Sequence, residues 1–404
     1  MAGAMGAAAQ EPMATPSEEP ELRTSPFPAE ETAPPDRDQS VVFSPVAPRA
    51  AAEGSPFSWG PVAIRPYVSY QYLEGFGLLA NPGVRGDTSI QSFFPGVLFE
   101  LGKVWTFDYS QGWTHYSSRL FVNSVGQDAK LKGVTTYGDW AFKVTQVYSH
   151  TTQILLETGG ETPVTDYSTA LLASYFMNTR MKLETSLNQD IQTSPVAPDS
   201  RLWSSQASLH YAVEPGFDLF AGPGLGYMQV NPGFDMIYGR IDAGVSWTAI
   251  KPLTLTAQVG AESREIQGAG TPALNTGTFS GSADYEPWIG TTVTASASRD
   301  LSAANTVDDV SEITQGHCSV RQRLLEHFFV TAGAGYERVS YLSLVQNLAD
   351  VRLDRYKTAD VGFGFTLFRR ATFEFDYSRA FNSSSAADYR FSSHQYGITA
   401  SYHY

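Results

Sequence analysis

The chain has 404 residues, a formal net charge of −14 and 17% charged residues, together with 24 Phe and 21 Tyr. Nucleic-acid binding is excluded, because phosphate recognition needs a concentration of Lys and Arg that this acidic sequence lacks. Membrane-spanning helices are also excluded, since the chain contains no run of about 18 apolar residues.

The first 60 residues differ in composition from the rest. Residues 1–9 are small and apolar and end in Ala-Ala-Ala, as before a signal-peptide cleavage site, but a basic region is missing. We interpret them as a signal-peptide remnant whose true start lies upstream. Residues 10–60 are rich in Pro, Glu and Ala, and such a segment cannot bury enough apolar surface to offset the entropy of ordering. We predict a disordered periplasmic segment, either a tether with a periplasmic partner or a linker without a further role.

From residue 61 to residue 404, apolar and polar side chains alternate. After Lys251, for example, apolar residues occupy every second position from Leu253 to Ala261, and polar residues or glycine fill the positions between them. A period of two indicates strands with one apolar and one wet face.

Short and longer connections alternate along this region, and their number indicates how many strands it contains. Nine longer segments rich in Gly, Asn, Ser and Asp separate eight short turns, so about 18 strands are expected. Because the first and last connections are long, both termini lie on the short-turn side, as in bacterial outer-membrane barrels. We predict an all-β fold, a transmembrane antiparallel up-and-down barrel, in which no connection is long enough to indicate a folded-in constriction loop. The short turns centre near Lys103, Asp139, Asn178, Pro215, Lys251, Pro287, Glu326 and Arg369.

Aromatic residues cluster beside the short turns, and the face opposite the apolar one is polar in nearly every strand. Amphipathic aromatic residues are typical of a girdle at the lipid headgroups. The predicted girdle residues are Trp105, Tyr211, Phe217, Trp247, Trp288, Phe328, Phe368 and Phe373. The polar face must contact water, which favours a water-filled interior. The charged residues predicted to line it are Arg65, Lys182, Glu184, Arg240, Asp242, Glu262, Arg264, Glu374 and Asp376.

Two features resemble known outer-membrane proteins. The chain ends in YGITASYHY, which resembles the carboxy-terminal strand that the barrel-assembly machinery recognises, with Tyr404 where Phe is more usual. The hairpins of the second half, with GAGYERVS and FDYSRAFNSSS, resemble those of the "beta-barrel porin 2" type of bacterial outer-membrane β-barrel protein. This resemblance implies an outer-membrane channel of unassigned substrate, associated in some relatives with surface-polysaccharide systems.

Catalytic and metal-binding motifs are not evident. The seven histidines are scattered, with no spacing typical of metal ligands, so we predict no cofactor, no metal and no enzyme activity. The best candidate for catalysis is His210 with serines of neighbouring strands, which would suit a barrel enzyme acting on lipid. Cys318, the single cysteine, cannot form an intrachain disulfide, and we interpret it as a small buried side chain.

The leading functional hypothesis is a porin-like channel in the bacterial outer membrane for passive passage of small hydrophilic solutes, surrounded by outer-membrane lipid. A barrel of this strand number is wide enough to hold water unless something plugs it. The alternatives are a structural or export-associated component of a surface-polysaccharide system and the lipid-acting enzyme. The sequence leaves the oligomeric state open.

Overall fold

The computed structural model of the protein describes residues 57–155, 160–250, 252–267, 273–303, 309–343, 349–368 and 370–404. These residues form 19 strands and one short 3-10 helix, Ala387–Tyr389. Among them, no helix has the length and hydropathy needed to cross a membrane. The strands are β1 (Phe57–Trp59), β2 (Val62–Asn81), β3 (Val84–Leu101), β4 (Trp105–Tyr116), β5 (Ser124–Tyr137), β6 (Trp140–Leu155), β7 (Gly160–Phe176), β8 (Met181–Thr193), β9 (Asp199–Glu214), β10 (Phe217–Asn231), β11 (Asp235–Ile250), β12 (Leu253–Gln267), β13 (Leu274–Tyr285), β14 (Thr291–Ala303), β15 (Asp309–Leu324), β16 (Phe328–Ser343), β17 (Ala349–Leu367), β18 (Ala371–Ser384) and β19 (Phe391–His403).

Strands β2 to β19 form a closed ring. Each pairs antiparallel with the next, and β19 pairs with β2 through a register that runs from His394 opposite Phe76 to His403 opposite Tyr67. Closure satisfies the backbone groups that an open sheet would leave unpaired at its edges. The prediction of an antiparallel up-and-down barrel of about 18 strands is confirmed.

The two ends of the barrel differ in their connections. At the end that carries both chain termini, called the terminal end here, eight connections join neighbouring strands where the short turns are predicted. They comprise residues 102–104, 138–139, 177–180, 215–216, 251–252, 286–290, 325–327 and 368–370. The turn at Gly216 requires glycine, because its φ is +84° and a Cβ atom would lie 2.5 Å from the carbonyl oxygen of Thr248.

Nine connections lie at the opposite end, called the loop end here. They are shorter than the sequence indicates, because the hairpins continue to pair beyond the predicted strand ends. The predicted loop at residues 74–88, for example, lies almost wholly in β2 and β3, with Leu78 opposite Gly86 and Leu79 opposite Arg85. The strands are therefore longer than the about 10 residues that suffice to cross a bilayer.

The outer face of the barrel is apolar and exposed. Leu225, Ile241 and Val259 on three neighbouring strands are 68%, 65% and 64% exposed. Cys318 also lies on this face, opposite Ala295 and Ala334, and is exposed. The interpretation of Cys318 as a buried side chain is therefore wrong: the alternation of β15 turns it outward, away from any packed interior.

Strand β1 lies beside the seam between β19 and β2. It pairs with the start of β2, below the point where β19 ends, and the ring of Phe57 stacks on that of Tyr404 with centroids 4.4 Å apart. The backbone N–H of Tyr404 donates to the carbonyl oxygen of Pro66 at 3.1 Å. The seam thus continues to the last residue of the chain. Strand β1 falls within the segment predicted to be disordered, and residues 1–56 lie outside the described residues.

Candidate functional site: the charged inner face

The inner face is identified by side chains that reach over an intervening strand. The Tyr67 hydroxyl on β2 donates to Asp108 on β4 at 2.7 Å, and Gln206 on β9 donates to Asp242 on β11 at 3.3 Å. Side chains two strands apart converge only on the concave side of a curved sheet. These residues therefore point into the barrel, and strand alternation assigns the remaining positions.

All nine charged residues that the sequence predicts as lumen-lining occupy inward positions of their strands. The structure does not bring them together: they belong to four groups spread around the ring. The first is Arg65 on β2, whose guanidinium Nε lies 3.0 Å from the Glu100 carboxylate on β3, near the terminal end.

The second group lies on β8, β9 and β10 at the terminal end and includes Lys182 and Glu184. The Lys182 ammonium lies 2.7 Å from the Glu184 carboxylate, and His210 lies between that carboxylate, at 3.9 Å, and Asp218, at 2.8 Å. The ring of Phe220 stacks on His210. His210 thus lies between two carboxylates in a row of polar contacts, and its pairing with a serine stays a hypothesis.

The third group lies on β11 and β12. Arg240 contacts Asp242 at 3.0 Å, and Arg264 contacts Glu262 on the same strand. The Arg264 guanidinium is buried: it also donates to the carbonyl oxygen of Leu301 at 2.7 Å and lies over the Tyr238 ring. These contacts fix Arg264 as a bridge between β12 and β14.

The fourth group consists of the carboxylates of Asp360, Glu374 and Asp376 on β17 and β18, called the acidic group here. Thr331 donates to Glu374 at 3.4 Å. Glycines on the neighbouring strands leave space for the carboxylates: a Cβ atom at Gly333 would overlap Asp360, and one at Gly397 would overlap Asp376. Among the described residues, no basic side chain lies within salt-bridge distance of the three, and Arg321 of β15 is close enough to interact electrostatically with Glu374. When ionised, the acidic group gives this wall a local negative charge.

Part of the inner face is accessible to solvent. On β13, Ser280, Ser282 and Asp284 point inward and are exposed, and so are His317 and Arg321 on β15. A side chain that points inward can be exposed only where the interior is open. The interior is therefore wide enough for water along this wall, from the terminal end to the level of His317.

At the loop end one hairpin folds inward over part of the interior. The hairpin tip of β2 and β3 leans over the opening, and Leu79 packs against Tyr356 and Phe391 of β17 and β19. On its other side Leu78 packs in a cluster with Tyr116 and Phe121, which comprises Leu73, Leu78, Ala80, Ile90, Tyr116 and Phe121. We call this hairpin, residues 74–88, the cover. The loop lengths in the sequence do not indicate this inward-folded segment, because strand extensions rather than a long loop form it.

Polar contacts tie the cover to its surroundings. The backbone N–H of Gly83 donates to the carbonyl oxygen of Asp388 at 2.7 Å, and the Arg85 guanidinium donates to the carbonyl oxygen of Arg390. Beneath this connection, Arg352 of β17 lies between the rings of Tyr341 and Tyr389, 3.9 Å from each centroid. The connection between β18 and β19 is thus held over the interior together with the cover.

The predicted girdle residues lie at the terminal end. Trp288 and Phe368 are in turns and highly exposed, whereas Phe217 and Phe373 are half-buried. The other four are exposed near strand ends, namely Trp105, Tyr211, Trp247 and Phe328.

The inner face also contains charged residues that the sequence analysis does not single out. They include Asp218, Arg352 and Asp360, of which strand alternation could identify Asp360. Arg352 lies at the end of the segment where the sequence indicates a loop, whereas the structure places it in β17. Asp218 follows a tight turn directly, where the strand phase is hard to set from sequence.

Comparisons with known proteins show a distant likeness in structure. No model of a known protein family matches this chain, and no curated protein matches it. The beta-barrel porin 2 resemblance therefore stays a prediction. Among solved structures, Pseudomonas aeruginosa OpdK with vanillate is 12% identical, with a TM-score of 0.43, 84% of this chain covered and 98% of that chain. OccK2 (OpdF) of the same organism, in complex with glucuronate, is 10% identical with a TM-score of 0.45. The match covers 84% of this chain and 98% of that chain.

Proposed function

We propose that this protein is a bacterial outer-membrane channel through which small hydrophilic solutes pass passively. The observation that carries the proposal is the exposure of inward-pointing polar side chains, such as Ser282 and Asp284, inside a closed ring with an apolar outer face. Large apolar side chains exposed on a surface of this extent need lipid, and exposed polar side chains inside need water.

The terminal end faces the periplasm in this proposal, and the loop end faces outward. Short periplasmic turns and longer outer connections are the usual arrangement of such barrels. The N-terminal segment then lies in the periplasm, where it is available to a partner. The stacking of Tyr404 on Phe57 at the seam supports a role of the last strand in assembly, with the barrel-assembly machinery as its partner.

Electrical recording from planar bilayers tests the channel. The full chain, purified in detergent, is expected to give stepwise increases in conductance, whereas protein denatured by heat beforehand is not. Because the cover lies over the loop end, the steps should be small or interrupted by closures. Electrical silence at both polarities, for the native chain and for a variant with a loosened cover, would contradict the proposal.

A further inference from the structure

Four basic side chains form a patch on the outer face, towards the loop end. They are Arg338 on β16, Arg355 and Lys357 on β17, and Arg379 on β18, called the basic patch here. All four are exposed, and they alternate along their strands with the inward residues Glu337, Tyr356 and Ala380. The patch therefore faces the surroundings of the barrel and not its interior.

The register places these cations side by side. Arg338 lies directly opposite Arg355, Lys357 occupies the next outward position of β17, and Arg379 lies opposite Ala359. Like charges directly opposite each other in a sheet destabilise it. The sheet therefore carries an unfavourable interaction at Arg338 and Arg355 that an anion between them would reverse.

No carboxylate of the described residues neutralises the patch. None forms a salt bridge with its four cations, whereas most arginines of the inner face are paired. The outward carboxylates nearby have other partners: Glu312 lies 2.9 Å from Arg299, and Glu74 accepts a hydrogen bond from Tyr72 at 2.8 Å. The patch is thus a concentration of unneutralised positive charge on a chain whose net charge is −14.

The position of the basic patch along the barrel axis corresponds to the edge of the hydrocarbon layer of a bilayer. Arg338 follows Phe328 by ten residues, and Lys357 precedes Leu367 by ten. About 9–11 tilted residues cross the hydrocarbon layer, so both cations lie where it ends. Below them the outward positions of β17 are apolar, with Val361 and Phe363 exposed, and Tyr336 lies opposite Lys357.

We propose that the basic patch binds the phosphate groups of an anionic lipid headgroup in the leaflet at the loop end. Guanidinium groups bind phosphate oxygens in pairs of charge-assisted hydrogen bonds, and the apolar side chains below would contact the acyl chains. A phosphate between Arg338 and Arg355 would turn their repulsion into a shared attraction. The proposal rests on the proposed membrane insertion and goes beyond the channel function.

Binding of lipid A, a phosphorylated glucosamine lipid, to the full chain in neutral detergent tests this proposal, with native mass spectrometry as the readout. The variant Arg338→Gln/Arg355→Gln is expected to bind it about tenfold more weakly, since charge-assisted hydrogen bonds are lost. The matched control Arg180→Gln removes one exposed arginine at the terminal end and should leave binding unchanged. Unaltered binding to the double variant would overturn the proposal.

Three further measurements separate the alternatives. Lipid A should raise the midpoint of thermal unfolding of the wild type and not that of the double variant. If the double variant folds poorly, the variant Lys357→Gln/Arg379→Gln repeats the test. Inorganic phosphate should not displace the lipid, and displacement by it at millimolar concentration would overturn the assignment to lipid. Failure of the wild type to insert into vesicles would contradict both the proposed channel and the lipid site. Normal insertion, together with lipid A binding that does not depend on the basic patch, would overturn the lipid site alone.

Discussion

At the scale of single residues, the acidic group gives one stretch of the inner wall its charge. A unit charge at 4 Å contributes about 1 kcal/mol even in water, which corresponds to about a fivefold change in the local concentration of an ion. We expect Glu374→Gln/Asp376→Asn to lower the permeability ratio of cations over anions by about twofold to fivefold. The reversal potential in a salt gradient measures this ratio.

The control for this experiment is Glu265→Gln, which removes a carboxylate that is exposed on the outer face. It changes the net charge of the protein without changing that of the inner wall, and its reversal potential should equal that of the wild type. Equal reversal potentials for the control and the double variant would show that the acidic group does not contact permeating ions.

Packing at Gly364 gives a second prediction at this scale. The ring of Phe329 on β16 lies over Gly364 on β17, so a side chain at position 364 would overlap this ring. The Arg321 guanidinium also lies over the Phe329 ring, 4.0 Å from its centroid. We expect Gly364→Val to destabilise the barrel by roughly 1–3 kcal/mol, as overpacking does. Gly316→Ala should be close to neutral, since its Cβ would approach no atom closer than 3.6 Å. Thermal unfolding in detergent compares the two, and equal midpoints would count against this packing.

At the scale of an element, the cover is the part of the barrel best placed to limit passage. Leu79 is 3% exposed in its cluster with Tyr356 and Phe391. Leu79→Asp would bury a charge without a partner, which is costly enough to displace the hairpin. We expect larger and longer conductance steps from this variant. Val84→Asp, at an exposed position of the same hairpin, should behave as the wild type, and identical recordings from both variants would exclude a limiting role of the cover.

The neighbouring connection between β4 and β5 is attached through Glu161, at the start of β7 and outside the segment that would span the membrane in the proposed channel. Its carboxylate accepts the backbone N–H of Val122 at 2.6 Å, and burial raises its pKa above the ordinary 4.5. Because the fold favours the protonated form of Glu161, protonation of this carboxyl stabilises the folded state. The stabilisation is full below pH 4.5 and is lost as the pH rises through the raised pKa.

We therefore expect the wild type to gain stability relative to Glu161→Gln on acidification from neutral pH. The amide of the variant is uncharged at every pH, so the difference between the two thermal midpoints reports the titration of Glu161 alone. A wild type that lost stability relative to the variant in acid would contradict the buried position of this carboxylate.

At the scale of the whole molecule, ring closure depends on the seam between β19 and β2. Tyr404 adds the last backbone hydrogen bond of that seam and carries the stacking contacts with Phe57 and with Arg370, which lies 4.7 Å from the Tyr404 ring centroid. We expect deletion of Tyr404 to reduce the amount of folded barrel in the membrane fraction, while Tyr404→Phe restores it. Quantitative detection of heat-modifiable protein measures this, and an unchanged amount after the deletion would refute a role in assembly.

The strand number, the positions of the eight tight turns and the two faces of most strands follow from the sequence alone. These are local properties: a period of two fixes which side chains share a face, and Gly and Pro mark where strands end. The same period predicts that Arg240, Asp242 and Glu374 share the polar face.

Which charges meet, and which segment folds inward, depend on the tertiary structure. The opposition of Arg338 and Arg355 depends on the register between two strands, and the contact of Leu79 with Tyr356 depends on the curvature of the whole sheet. Register and curvature are set by the pairing of all 18 strands at once. A single segment of sequence determines neither the register nor the curvature. For this reason the sequence indicates a loop where the cover lies and gives no sign of the basic patch.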